Sequence, residues 1–296
     1  MTRRLAIAFA GWRAEIGPSM GGAILSLSRD GVDILRRTPE AAIEAGDARA
    51  SASYPLIPYA NRIGQARFRF AGAEHALALN FPNSPHSLHG VGWRRVWRVV
   101  EAGPDACALL LEHRPVGSDA QDWPFAFDAR QRLALDPEGL CVTIEVTNAG
   151  EAPAPAGVGL HPFFVRRPGE RLRFKAKGAW TNGPDMLPAD RVGGGAWDHA
   201  AGRPVDDERL DHDFFGWDGT ARLSAPGEPT VRVSASPQFP VLRVYTPEAA
   251  PYLAVEPVSH RADAINHPGD PDGSMRVLQP GATLRGQVRF SLERGA

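Results

Sequence analysis

Glu256 stands where an acid is costly. It lies in Tyr252-Leu253-Ala254-Val255-Glu256-Pro257-Val258, whose period of two sends Leu253 and Val255 to one face and Tyr252, Ala254 and Glu256 to the other. A carboxylate between a core residue and a proline costs free energy unless something pairs with it or uses it. The proline cannot donate to a ladder, so the buried strand is expected to end at the carboxylate. A second candidate is His161, in Gly157-Val158-Gly159-Leu160-His161-Pro162. On a strand, Gly157 and Gly159 would share its face and leave a hollow that suits close approach by a ligand. A packed histidine beside a glycine-rich bend explains the same residues. An imidazole and a carboxylate, each on a strand face kept small, would suit a general acid and a general base lining one sheet.

Three further stretches carry directional polar groups. Asn61 and Arg62 sit in a rigid apolar frame, Tyr54 to Gly64, and could donate to hydroxyls or a carboxylate, or merely cap the sheet. His89 follows Pro85-His86-Ser87-Leu88, with Trp93 close behind. Metal binding would need partners at ligand spacing; no H-E-x-x-H and no cysteine accompanies these histidines, so no metal is expected. Asp211 opens Asp211-His212-Asp213-Phe214-Phe215-Gly216-Trp217, which mixes acids with aromatic rings. Carbohydrate sites commonly need such a mix, because hydroxyls ask for bidentate acceptors and C–H faces stack on rings, which makes Asp211 and Trp217 substrate-binding candidates. Calcium-loop spacing is missing.

The elements that must position these groups read as strands. Arg67 to Phe70 turns at Ala71-Gly72, Val96 to Val100 and Ala108 to Leu111 follow, and Phe125 to Leu135 and Leu140 to Val146 flank the turn Asp136-Pro137-Glu138-Gly139. In Leu140 to Thr147 alternate residues are apolar, the pattern of a half-buried antiparallel strand. Only Pro39 to Ala48 has helical composition. With 31 Gly and 27 Pro as punctuation, the expected architecture is all-β, a large antiparallel β-sandwich with few short helices, formed by residues 1–296 as one domain.

Composition narrows the partners. Basic and acidic residues balance, 33 against 34, which argues against a nucleic-acid or anionic-membrane surface. No run approaches the roughly 20 apolar residues needed to cross a membrane. Residues 1–10 resemble a signal peptide faintly but read equally well as a first strand. Cys107 and Cys141 lie in apolar runs and read as reduced core thiols. A cytoplasmic protein, monomer or homodimer, is expected.

Taken together, Pro58-Tyr59-Ala60-Asn61-Arg62-Ile63, Ser87-Leu88-His89-Gly90, His161-Pro162-Phe163-Phe164, Asp211-His212-Asp213-Phe214 and Glu256-Pro257 followed by Asp263-Ala264-Ile265-Asn266 resemble the aldose 1-epimerase (galactose mutarotase) family, in the family's order. The resemblance implies a cofactor-independent isomerase that interconverts the α and β anomers of a free monosaccharide. It implies Glu256 as the base at the anomeric hydroxyl and His161 as the acid at the ring oxygen. His89 and Arg62 would bind oxygens, Asp211 would accept from hydroxyls, and Asn61 would support the arginine loop. Imidazole titrates near ~6.5, so acid duty at neutral pH requires a carboxylate neighbour, Asp211 or Glu256. Val91-Gly92-Trp93 departs from the better-known galactose-acting pattern and leaves the sugar open. Rival readings are a hexose-6-phosphate epimerase using Arg62, Arg94, Arg95, Arg166 and Arg167, a glycosidase using Glu256 with Asp211, and a non-catalytic sugar-binding domain.

Overall fold

A computed structural model describes residues 4–207 and 209–293. Two large antiparallel sheets face each other. The nine-stranded sheet runs Arg98–Ala102, Ala106–His113, Phe127–Asp136, Gly139–Asn148, Thr283–Glu293, Thr230–Ala235, Thr220–Ser224, Arg171–Phe174, Arg203–Pro204. The eight-stranded sheet runs Pro188–Gly193, Gly178–Asn182, Asp211–Phe215, Val241–Tyr245, Tyr252–Val258, Gly159–Leu160, Pro55–Leu56, with Phe163–Val165 also paired to Tyr252–Val258. A four-stranded sheet, Leu5–Phe9, Trp12–Gly17, Ala23–Arg29 and Val32–Asp33, begins the chain and supplies the first strand read at Leu5. The expected β-sandwich is what the chain forms.

Alternation explains the layers. In Gly139–Asn148, Leu140, Val142, Ile144 and Val146 are fully buried while Cys141, Thr143, Glu145 and Thr147 are half-exposed. The turn before it closes with Asp136 opposite Gly139, and Asp136 Oδ1 accepts the backbone N–H groups of Glu138 and Gly139. Leu253, Val255, Leu242, Val244, Phe164 and Phe214 point from the other sheet into the shared core. There Phe164 meets Phe290 with ring centroids 5.8 Å apart. The helical stretch is Glu40–Ala45, stopped by Gly46 in the left-handed conformation (φ +68°), whose N–H bonds the last turn. A second short helix, Asp119–Asp122, carries no hydrophobic stripe and gave no signal in the pattern.

The strand bearing Glu256 departs from expectation. It runs through Pro257 to Val258 instead of ending at the acid. The neighbour opposite is what breaks: Gly159 pairs with Val258 and Phe163 pairs with Ala254, while residues between them leave the ladder. Pro162 and Pro257 both fall in this lapse, so missing N–H donors on both sides cost no ladder bond there. Unbroken register across the gap puts His161 directly opposite Glu256.

Candidate active site

One cross-strand row on the face away from the main core holds the reactive groups. Asp213 is paired with Arg243 and Arg243 with Glu256. His161 stands across from Glu256, its backbone N–H donating to Tyr54 carbonyl at 3.0 Å. Residues directly opposite in a ladder share a face, so the register alone delivers aspartate, guanidinium, carboxylate, imidazole and phenol side by side. Leu253 and Val255 take the core face, which is why Glu256 cannot.

His161 Nε2 lies 3.4 Å from Glu256 Oε1, with both side chains almost wholly buried. The imidazole is held between rings, its centroid 4.8 Å from Tyr54 and 4.4 Å from Phe163. Burial pushes the Glu256 carboxyl well above its ordinary value; Asp211 and Asp213 push the same way, and Arg243 and Arg62 oppose them. Burial pushes His161 well below its ordinary value, with His89 and the Arg36 guanidinium pushing the same way. Glu256 is the carboxylate neighbour of His161, yet burial of both groups favours the uncharged pair.

The Asn61–Arg62 loop is fixed from several sides. Asn61 N–H donates to His89 Nδ1 at 3.2 Å, and His89 N–H donates to Asn61 carbonyl at 2.8 Å. Arg62 Nη1 donates to Asn61 Oδ1 at 3.1 Å. Asp263 Oδ1 accepts Gly64 N–H at 2.8 Å, while Asp263 N–H donates to Arg62 carbonyl at 2.8 Å. His260 Nε2 accepts Ala60 N–H at 3.1 Å. Asn61, His89 and Asp263 all adopt left-handed φ (+57°, +62°, +55°), a conformation Asn, His and Asp enter more readily than most residues. Gly90 follows at φ +69°, where a Cβ would strike the Ile57 carbonyl.

His89 is buried 5.4 Å, centroid to centroid, from His161. Burial, then the fields of Arg62 and Arg243, hold its pKa down at about 3. Asp211, partly exposed, accepts from Arg243 Nη2 with one carboxylate oxygen. Arg243 gave no signal as a site residue, because Val241-Leu242-Arg243-Val244-Tyr245 reads simply as a strand. A charged residue inside a run otherwise meant for burial was the available clue.

Two expectations are corrected. Trp217 does not join this row: Gly216, at φ +62°, turns the chain, and the indole enters the core between the sheets with Nε1–H donating to Thr220 carbonyl at 3.0 Å. Nor do Gly157 and Gly159 leave a hollow for ligand. A Cβ at Gly157 would fall within the His260 ring, and one at Gly159 would lie 2.9 Å from Val258 Cγ1. Their missing side chains make room for protein.

A concavity of about 1250 Å³ lies elsewhere, lined by Arg29, Arg167, Glu228, Arg232, Arg289 and Glu293 among others, and shares no residue with the row. Its charges largely satisfy each other, as in Arg232–Glu293 at 3.7 Å and Arg167–Glu228 at 3.8 Å. Among the described residues no group of three or more His, Cys, Asp or Glu is arranged to hold a metal, and no helix is long and apolar enough to cross a membrane.

The chain is thus a two-sheet antiparallel β-sandwich whose face away from the shared core sets an imidazole against a carboxylate. The aldose 1-epimerase family model matches residues 10–291, and the chain belongs to that family of isomerases. It is 28% identical over 289 residues to Escherichia coli K12 YphB, a protein of uncharacterised function, covering 92% of this chain and 93% of YphB. Among solved structures it resembles an Escherichia coli K12 protein solved as a candidate aldose 1-epimerase (TM-score 0.89, 26% identity, 100% of both chains). A galactose mutarotase-like protein from Clostridium acetobutylicum shares the fold (TM-score 0.87, 18% identity, 98% of this chain and 95% of that one).

Proposed function

We propose that the protein interconverts the α and β anomers of a free aldose, with Glu256 as base and His161 as acid. The observation that carries this reading is the 3.4 Å approach of His161 Nε2 to Glu256 Oε1 on one sheet face. Opening a hemiacetal requires a proton taken from the anomeric hydroxyl and a proton given to the ring oxygen two bonds away. Glu256 carboxylate accepts the first as the O1 lone pair forms the carbonyl. The C1–O5 bonding pair leaves with O5, which takes the second proton from His161 Nε2. The C1 end rotates about C1–C2, and closure with both transfers reversed gives either anomer.

The proton inventory suits this cycle. Carboxylate with imidazolium is the form that opens the ring, and carboxylic acid with neutral imidazole is what opening leaves behind. The same two exchangeable protons serve both forms, so no net proton need cross the protein. Burial favours the neutral pair; a bound sugar's hydroxyl donors would favour the carboxylate. Each group typically contributes about 10²–10⁴ in rate, or roughly 5–11 kcal/mol together if independent.

The surrounding residues supply orientation. His89 Nδ1 accepts from Asn61, so its proton sits on Nε2 as a donor for a sugar oxygen. Arg62 would donate to another oxygen, and the Asp211 oxygen not held by Arg243 would accept from a hydroxyl. The phosphosugar reading loses support because its other arginines are committed. Arg94 and Arg95 pair with Asp122 at 3.6 and 2.5 Å, Arg166 with Asp206 at 2.5 Å, and Arg167 donates to Asp33 carbonyl at 3.0 Å. Polarimetric mutarotation across a panel of hexoses, pentoses and glucose 6-phosphate tests the proposal. Acceleration with at least one free aldose, lost in Glu256→Gln, is expected; binding without acceleration would make the protein a sugar-binding domain.

A further inference from the structure

We propose that Arg243 is a positioning residue for this reaction: it shields Glu256 from two neighbouring aspartates and so keeps Glu256 able to release its proton. The inference rests on the reading of Glu256 as base. Arg243 is 2% exposed, too enclosed to serve chiefly as a ligand contact, and its fork is divided between Asp211 and Asp213 (Nη1 to Asp213 Oδ1, 3.2 Å). It is also the residue directly opposite Glu256. Asp213 cannot swing away, because its Oδ2 accepts Ala262 N–H at 2.7 Å. Without the guanidinium, the same sheet face would hold three carboxylates within three adjacent strands, two of them, Asp213 and Glu256, buried.

Other charges reach the same point. Glu256 is faced by Arg243 from one neighbouring strand and His161 from the other, by Arg62 from the loop, and by Asp211 and Asp213 one strand further out. Tyr54 and Tyr245 lie in its field as neutral phenols, and His89 and Arg36 act on His161. Arg62 is the other cation in this set acting directly on Glu256, and its Nη1 is bonded to Asn61. Burial works against charge on Arg243, but Asp211, Asp213 and Glu256 outweigh it and raise its pKa above the ordinary arginine value. It is therefore a permanent cation at this position.

A structural cross-link and an electrostatic shield predict different things. Loss of a cross-link lowers activity equally at every pH. Loss of the shield moves the ionisation of one carboxyl. Infrared difference spectra against Glu256→Gln read the Glu256 carboxyl band directly, whether or not the enzyme turns over. Arg243→Gln should raise the pH at which that band disappears by about 1–2 pH units. Arg243→Lys should restore most of the native midpoint, and Asp213→Asn should lower it. The alkaline limb of kcat/KM should move with the band, because Glu256 is the later of the pair to ionise. An unmoved midpoint in Arg243→Gln overturns the proposal; if that variant does not fold, a midpoint in Asp213→Asn that fails to fall does the same. Failure of the parent reading looks different, since Glu256→Gln would then retain full mutarotase activity.

Discussion

The Asn61 backbone N–H donates to His89 Nδ1 at 3.2 Å, leaving Nε2 to carry the imidazole proton. With its pKa held at about 3 by burial and by Arg62 and Arg243, His89 stays neutral throughout the working range. His89→Asn keeps a residue tolerant of left-handed φ but shortens the donor's reach. We expect kcat/KM to fall about 10–100-fold, the loss of a hydrogen bond to the reacting sugar, with neither limb of the pH profile displaced. A displaced limb would show that His89 itself titrates.

The same residue links stability to acid. Its folded pKa of about 3 lies below the unfolded value near ~6.5. Below the unfolded value the denatured chain binds a proton that the native chain refuses, so stability is full above that pH and drains away as pH falls toward the folded value. Between pH 7.5 and 4.5 this one group should cost about 3 kcal/mol. His161 and His260, also lowered chiefly by burial, act in the same direction. Urea titrations at the two pH values should show a smaller acid loss in His89→Asn than in the native chain.

Glu256→Gln separates chemistry from binding. The amide keeps the shape but cannot accept the anomeric proton, so kcat should fall by about 10²–10⁴ while sugar affinity, read by calorimetry, changes little. Since His161 and Glu256 complete one relay, adding His161→Gln should lower the rate by far less than a second full factor. Multiplicative losses would mean that the two groups act separately.

That variant should also be more stable. Burial, with Asp211 and Asp213, raises the Glu256 pKa. Its contribution is therefore full below the unfolded carboxyl value and is lost as pH rises, because the denatured chain ionises first. The amide of the variant does not ionise and escapes this penalty. Thermal unfolding should show Glu256→Gln melting higher than native at pH 8, by roughly 2–4 °C per kcal/mol recovered, with the gap closing toward pH 5. No gap at pH 8 would mean the native carboxylate is fully compensated.

The sequence made some of this architecture legible and withheld the rest for identifiable reasons. Alternation in Leu140 to Val146 is local, so the strand and its buried face could be read directly, as could the Asp136–Gly139 turn. His161 and Glu256 were legible as reactive types on small-faced strands. Their apposition depends on the register between Phe163 and Ala254, which no local pattern encodes. Asp263 and Asn266 were recognisable only as part of a family motif; the structure shows Asn266 Nδ2 donating to Asp263 Oδ1 at 2.7 Å while Asp263 ties down the arginine loop. Trp217 misled because adjacency to acids along the chain does not reveal which way a left-handed glycine will turn the ring. The glycines misled because a missing side chain signals that space is needed without saying what fills it.

Gly157 turns that last point into a measurement. Its N–H donates to Pro58 carbonyl at 2.6 Å, and the space where a Cβ would stand is taken by His260, whose Nε2 accepts Ala60 N–H at 3.1 Å. Gly157→Ala would drive the imidazole off Ala60 and loosen the loop that carries Asn61 and Arg62. We expect a destabilisation of about 1–3 kcal/mol from overpacking and a several-fold rise in KM. The fall in kcat should be smaller, because Glu256 is held by its strand pairing and His161 by its N–H bond to Tyr54 carbonyl rather than by this loop. Adding His260→Ala removes the clash but leaves the Ala60 donor unpaired, so the double variant should lose less than the sum of the two single variants. Strict additivity would mean that Gly157 and His260 do not share this space.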